Sequence, residues 1–240
     1  MTATESSRVD DRELTPPYAR FLVHLIRPFP DFDFFFIRHL RQKAVRLLQL
    51  KPGDRVLDVG CGPGGSLPYL VDAVGRSGEV VGVEISPEMS INARKRIAAN
   101  GWDNVRVVVA DAESARLEGK FDGLLLFAAQ DVCVSPQALA NLIPHLKDGA
   151  RVVAFGGKLS RRRFAGVVNL FFRAMFSKLT FPSTPGLNYE PWTLLKTYLR
   201  EFNLEEHFFG WMFLAWGSVR STPQHGERKG PAIAPGQQLS

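Results

Sequence analysis

A chain of 240 residues that is 45% hydrophobic and 22% charged has the balance of an ordinary soluble protein, with length for one α/β domain and additions. No apolar run reaches the roughly 20 residues that span a bilayer, and the two cysteines, Cys61 and Cys133, offer neither a disulfide framework nor a metal-ligand spacing. The formal charge of +6 is concentrated between Asp148 and Glu190, which enclose seven bases and no acid.

Residues 1–15 are polar and aperiodic, and are expected to form a disordered tail. With Glu5, Asp10, Asp11 and Glu13 they lack the basic and apolar regions of a signal peptide, so a reducing, cytoplasmic setting is the expectation. Residues 16–50 read as a helical cap. Tyr18, Phe21, Leu22, Leu25 and Ile26 recur at helical spacing, and after a Pro28/Pro30 break a second helix runs through Phe35, Ile37, Leu40, Ala44, Val45 and Leu48. The rings of Phe29, Phe32, Phe34, Phe35 and Phe36 exceed what one face needs for packing. Tyr18 and Phe35 are therefore candidate substrate contacts, beside the plainer reading that these rings pack the cap onto the core.

The stretch from Arg55 to Ser66, RVLDVGCGPGGS, is a strand, a tight glycine turn and the start of a helix. Glycines let such a turn take positive φ and let a ligand reach the backbone, while the new helix presents unpaired N–H groups. The spacing Gly60-x-Gly62-x-x-Gly65, with Glu84 19 residues further on, also satisfies the dinucleotide fingerprint. Asp58 tilts the reading away from a dinucleotide, because an acid just before the glycines suits the ammonium of an amino-acid ligand. The next strand, Glu79–Glu84, leads to a helix capped by Ser86-Pro87 and closed by Asn100-Gly101. A third strand, Val105–Val109, ends at Ala110-Asp111. Three acids at three successive strand ends match an amino acid, a ribose and an adenine.

At this point the chain resembles the class I S-adenosylmethionine-dependent methyltransferases, from about Lys51 to Arg220. VLDVGCGPGG is similar to their first motif, VVGVEIS (80–86) to the second, VVVADAES (107–114) to the third, and HLKDGARVVAF (145–155) to a later helix-to-strand turn. The Ile85–Met89 sequence is most similar to the group holding quinone-biosynthesis and other small-molecule enzymes. The resemblance implies S-adenosylmethionine as cofactor and S-adenosylhomocysteine as product. Asp58, Gly60, Gly62 and Gly64 would line its methionine end, Glu84 would bind the ribose, and Ile85 would flank the adenine. Asp111 with Ala112 would hold the adenine edge, and Phe127 would border the site.

The run Phe121–Phe127, FDGLLLF, reads as a strand buried on both faces of a parallel sheet. Just after it, where the resemblance places the acceptor, many family members carry His or an Asn-Pro-Pro-Tyr type sequence. This chain has Ala128-Ala129-Gln130-Asp131-Val132, and Asp131, the titratable member, is the candidate general base or substrate orienter. A helix Pro136–Leu146 leads to a strand Arg151–Phe155. The stretch 158–181 is basic and aromatic, its apolar residues, Phe171 among them, at helical spacing. It can serve as part of a substrate lid spanning about 158–188 or rest on an anionic membrane surface as a peripheral contact. No nucleic-acid module accompanies its charge, so no nucleic-acid partner is expected.

A helix from Glu190 through Phe202, carrying the candidate substrate contact Trp192, precedes strands Leu204–Phe209 and Met212–Val219. Residues 221–240 read as a second disordered tail. The expected fold is a Rossmann-like doubly wound sheet of seven strands, mostly parallel with an antiparallel C-terminal strand. The expected activity is methyl transfer to an apolar, aromatic or lipid-like small molecule, at an oxygen, nitrogen or carbon. The competing readings are an NAD-dependent oxidoreductase on the same glycine turn and a membrane-associated binding module.

Overall fold

The computed structural model describes residues 35–161 and 190–220. Element numbers refer to these residues. The chain runs α1 (Phe35–Leu47), β1 (Arg55–Val59), α2 (Leu67–Val74), β2 (Glu79–Glu84), α3 (Pro87–Asn100), β3 (Val105–Val109) and β4 (Phe121–Phe127). It continues with α4 (Gln130–Val134), α5 (Pro136–Leu142), β5 (Leu146–Gly157), α6 (Thr193–Tyr198), β6 (Leu199–His207) and β7 (Met212–Val219).

The seven strands form one sheet in the order β3-β2-β1-β4-β5-β7-β6. Strands β1 to β5 pair in parallel, and β7 lies antiparallel between β5 and β6. The strand order reverses between β1 and β4, and in open α/β sheets ligands bind beyond the carboxyl ends of the strands at such a reversal.

Alternation along the central strands builds two cores. Val56, Leu125, Phe127, Val153 and Phe155 face α1, α2 and α3, where they meet Ile37, Leu40, Ala44, Leu67, Leu70 and Ala93. Leu57, Leu124, Leu126, Val152 and Ala154 face the other way, onto Ala138, Leu139, Trp192 and Leu195. Burial on both faces explains why β4 reads as a nearly unbroken apolar run. Leu125 is fully buried opposite Asp58. Leu125→Ala is expected to cost about 2–5 kcal/mol, read as a lowered urea midpoint with unchanged slope.

The capping expectations for α3 hold: Ser86 Oγ accepts from Met89 N–H at 3.3 Å, and Gly101 closes the helix in the left-handed region at φ 64°. Three boundaries differ from the sequence reading, the first being β5, read as Arg151–Phe155 and observed as Leu146–Gly157. The helix from Pro136 stops at Leu142 and tightens into a 3-10 turn, Ile143–His145, where Pro144 has no N–H to continue the ladder. The expected helix to Phe202 ends at Tyr198, and β6 starts five residues earlier than read. Leu199 and Arg200 pair with Val219 and Ser218 of β7, and this ladder overrides the helical spacing of the apolar residues. The expected calls on Tyr18, on the first cap helix, on Phe171, on 162–188 of the lid and on both tails lie outside the described residues.

Candidate active site

Strand order places the three acids in a row: Asp111 just beyond β3, Glu84 at the end of β2 and Asp58 in β1. Neighbouring strands are about 4.8 Å apart, so the row spans about 10 Å, the scale of a nucleoside with an amino-acid tail. Across the reversal, β4 hands over to α4.

Asp58 is 1% exposed, and its Oδ2 has no hydrogen-bond partner among the described residues. Burial pushes this carboxyl up to about 7, the Arg41 guanidinium pulls it down, and Glu84 pushes it up. A buried carboxylate oxygen left without a donor is costly, and an ammonium group supplies what it lacks.

The glycine turn is built around this acid. Gly60 holds φ 70°, and a Cβ there would stand 2.8 Å from the Ala129 Cβ, so only glycine lets the β1 turn approach the chain leaving β4. Gly62 and Gly64 follow at φ 56° and 85°. Glu84 fastens the turn from below. Its Oε2 accepts from Gly62 N–H at 2.8 Å and its Oε1 from Ser86 N–H at 2.9 Å. Burial raises the Glu84 carboxyl, these backbone donors lower it, and Asp131 raises it further. Each carboxylate oxygen keeps a second lone pair for a ligand hydroxyl.

Ile85 is half-buried next to Glu84. Asp111 is exposed, its Oδ1 accepting from Glu113 N–H at 2.8 Å, while Ala112 is buried and accepts from Asn141 through its carbonyl. Phe127 is 5% exposed and stacks on Phe155 at 4.4 Å between centroids. Asp131 stands on the solvent side of the first turn of α4. The protein around it raises its carboxyl, with added repulsion from Asp111. Its electrostatic neighbours are thus Glu84 and Asp111, on the nucleoside side. Trp192 lies in the core, tilted against Phe213 at 5.0 Å. The backbone of Phe35 opens α1.

One residue of the site is absent from the sequence reading. Arg41 of α1 is 8% exposed, donates from Nη1 to Ser66 Oγ at 2.9 Å and lies over the Phe127 ring at 4.2 Å. Its Cζ would be 3.0 Å from a Cβ at residue 65, so Gly65 is what lets the guanidinium lie flat on the turn. A signal existed: Arg41 falls on the apolar stripe of Ile37, Leu40, Ala44 and Leu48, where a cation requires a partner.

A family model described as a methyltransferase domain matches residues 56–149. A protein-L-isoaspartate O-methyltransferase of Pyrobaculum neutrophilum is 31% identical over 149 residues, 60% of this chain and 70% of the relative. The chain belongs to the class I S-adenosylmethionine-dependent methyltransferases. The chain is also 30% identical over 151 residues to the aklanonic acid methyltransferase of Streptomyces sp. strain C5, covering 62% of this chain and 61% of that one. It spans about half the length of other curated relatives it matches. A SAM dependent methyltransferase from Aquifex aeolicus has the same fold, with a TM-score of 0.56 at 21% identity over 87% of this chain and 96% of that one. The two named relatives differ in acceptor, one a protein and the other a small molecule by name.

S-adenosylmethionine is the cofactor of this family, and the residues present fit it: an acid lacking a donor, a cation at the glycine turn, and carboxylates at the ends of β2 and β3. Glu84→Gln keeps the size but puts an amide N–H₂ near a backbone donor, Gly62 or Ser86. Affinity for S-adenosylhomocysteine is expected to fall about 10- to 100-fold by calorimetry, with the fold retained by circular dichroism.

Proposed function

We propose that this chain transfers the methyl group of S-adenosylmethionine to an apolar small molecule, aromatic or lipid-like. The observation that carries the cofactor part is the buried Oδ2 of Asp58, without a hydrogen-bond partner among the described residues, near the Arg41 guanidinium, a matched pair for the two charges of an amino acid. Asp58 takes the ammonium and Arg41 the carboxylate. Glu84 takes the ribose hydroxyls, Ile85 flanks the adenine, and Asp111 with Ala112 meets its edge.

The cofactor supplies a methyl already activated by its positive sulfur. The protein's share is therefore to hold the acceptor in line and keep water out, which can provide most of the rate. Phe127 and Phe155 wall the site at the ends of β4 and β5, and Asp131 at the rim is the candidate to take a proton from an acceptor that loses one.

Local charge supports a neutral acceptor over the carboxylate of an isoaspartyl peptide. Asp131 repels Glu84 and Asp111 repels Asp131, and an anionic acceptor would enter against these acids. An NAD-dependent oxidoreductase fits less well, since a dinucleotide offers Asp58 no ammonium to donate to it and β7 runs antiparallel in the sheet.

The test is label transfer from S-adenosyl-[methyl-¹⁴C]methionine to two acceptor sets, apolar phenols, quinols and amines in one and an isoaspartyl peptide in the other. Label in the first set is the expected result. Label in the peptide alone would overturn the acceptor reading and leave the cofactor reading standing. Among the described residues no helix is long and apolar enough to cross a membrane.

A further inference from the structure

The strand order that lines up Asp111, Glu84 and Asp58 continues to β4 and then β5. If the three acids hold the adenine, the ribose and the amino acid, the next position along the sheet edge faces the acceptor. Two side chains leave the first turn of α4 there, and they diverge. Asp131 lies in the field of Glu84 and Asp111, back toward the nucleoside. Gln130 turns toward β5.

Gln130 is 6% exposed. Its Oε1 would stand 2.9 Å from a Cβ at residue 156 and its own Cβ 3.1 Å, with Phe213 Cε1 also at 2.9 Å. Gly156 is thus the cutaway in β5 that admits the glutamine. Among the described residues the Gln130 amide has no hydrogen-bond partner, yet neither of its polar atoms is sealed from solvent. Buried polar groups in folded proteins are overwhelmingly paired, and one that is not requires an explanation. An amide carries one acceptor and two donors and does not titrate near neutral pH.

The chain enters α4 through a strained corner that fixes this placement. Ala128 holds φ 63°, a left-handed conformation that costs a non-glycine residue about 1 kcal/mol or more, and its N–H donates to Phe155 O at 2.9 Å. Such strain is retained where the surroundings over-determine it, commonly at functional sites. The Ala128 bond ties the corner to β5, and Ala129 packs beneath Gly60 of the cofactor turn.

We infer that Gln130 is the acceptor-binding residue, and that the acceptor is an apolar molecule carrying an uncharged hydrogen-bonding group, a hydroxyl, carbonyl or amide, beside the atom that is methylated. This rests on the methyltransferase reading and narrows its acceptor. A carboxylate would find a neutral amide at Gln130, and would still face Glu84, Asp111 and Asp131.

The test uses the full chain saturated with S-adenosylhomocysteine and four one-ring probes, phenol, benzamide, toluene and benzoate, followed by ligand-observed NMR titration. The variants are Gln130→Met, nearly the same shape without the amide, and Gly156→Ala, which displaces the amide. The expected result is wild-type binding of phenol and benzamide above benzoate, with a loss of about three- to tenfold for those two in both variants. Toluene binding and S-adenosylhomocysteine affinity should stay within about twofold in Gln130→Met.

The ligand-free protein gives an independent check. Replacing an amide that has no protein partner among the described residues by an apolar side chain should leave the urea midpoint of Gln130→Met unchanged or raised. A lowered midpoint would mean that the amide is structurally paired, and would overturn the inference. So would equal probe binding by wild type and Gln130→Met, including none by either, or a loss of S-adenosylhomocysteine affinity in that variant. Failure of the wild type to bind S-adenosylhomocysteine would instead sink the methyltransferase reading itself.

Discussion

Asp58→Ala is expected to weaken S-adenosylhomocysteine binding by at least about 100-fold, the largest effect of any single substitution in the site. The side chain is buried, with one oxygen lacking a partner among the described residues, so a ligand ammonium placed against it forms a charge-assisted bond in a dry setting, and alanine leaves that ammonium unpaired. The same carboxyl predicts a pH dependence. Burial, the dominant cause, brings it up to about 7 in the ligand-free protein, whereas an ammonium partner stabilises the ionised form. Binding therefore expels a proton below neutrality. Affinity should fall about tenfold for each pH unit below 7 and level off above it, and the slope should vanish in Asp58→Asn.

The sign for stability runs the other way. Between the ordinary value of 3.8 and about 7, the folded ligand-free chain holds a proton on Asp58 that the unfolded chain releases. Its contribution to stability is fully present below that window and is lost as pH rises through it. Glu84, also raised chiefly by burial, acts in the same direction. Urea midpoints of the ligand-free protein across pH 4–8 check this, and saturating S-adenosylhomocysteine should flatten the decline.

Arg41→Met should produce the second large effect, a loss of about 10- to 100-fold in S-adenosylhomocysteine affinity, while affinity for 5′-methylthioadenosine stays within about twofold. The two ligands share the nucleoside, and only the first carries the amino acid that Asp58 and Arg41 are placed to meet. The guanidinium is oriented by Ser66 Oγ, the Phe127 ring and the bare Cα of Gly65, so little ordering remains when a carboxylate binds. Arg41 also lowers the Asp58 carboxyl, so its removal should shift the pH midpoint of binding upward. Equal losses for both ligands would mean that Arg41 acts by holding the turn together and not by meeting the carboxylate.

The parts of this molecule legible in the sequence are those set by local chemistry. Asp58, Glu84 and Asp111 could be placed at strand ends because each closes a short apolar run that a glycine turn or a cap ends at once, and such punctuation does not depend on the rest of the fold. Ser86-Pro87 and Gly101 capped α3 for the same reason. What escaped depends on pairing between distant residues. The start of β6 at Leu199 is set by Val219 across the hairpin, which no helical count can register.

The direction of a side chain leaving a one-turn helix is equally invisible. Asp131 drew attention because it titrates, whereas only the bare Gly156, 26 positions downstream, reveals that its neighbour Gln130 is the residue turned toward β5. Arg41 sits 17 positions before Asp58 and reaches it through tertiary packing alone. Both missed residues are buried polar side chains on apolar surfaces, a pattern that a reading based on motifs passes over.

The central claim is that the glycine turn, Asp58 and Glu84 form a site for S-adenosylmethionine. Calorimetric titration of the purified full chain with S-adenosylhomocysteine and, separately, with NADH tests it most directly. Micromolar binding of the first and none of the second is the expected result. Binding of NADH, or no binding of S-adenosylhomocysteine by a folded sample at pH 8, where Asp58 is ionised, would contradict it.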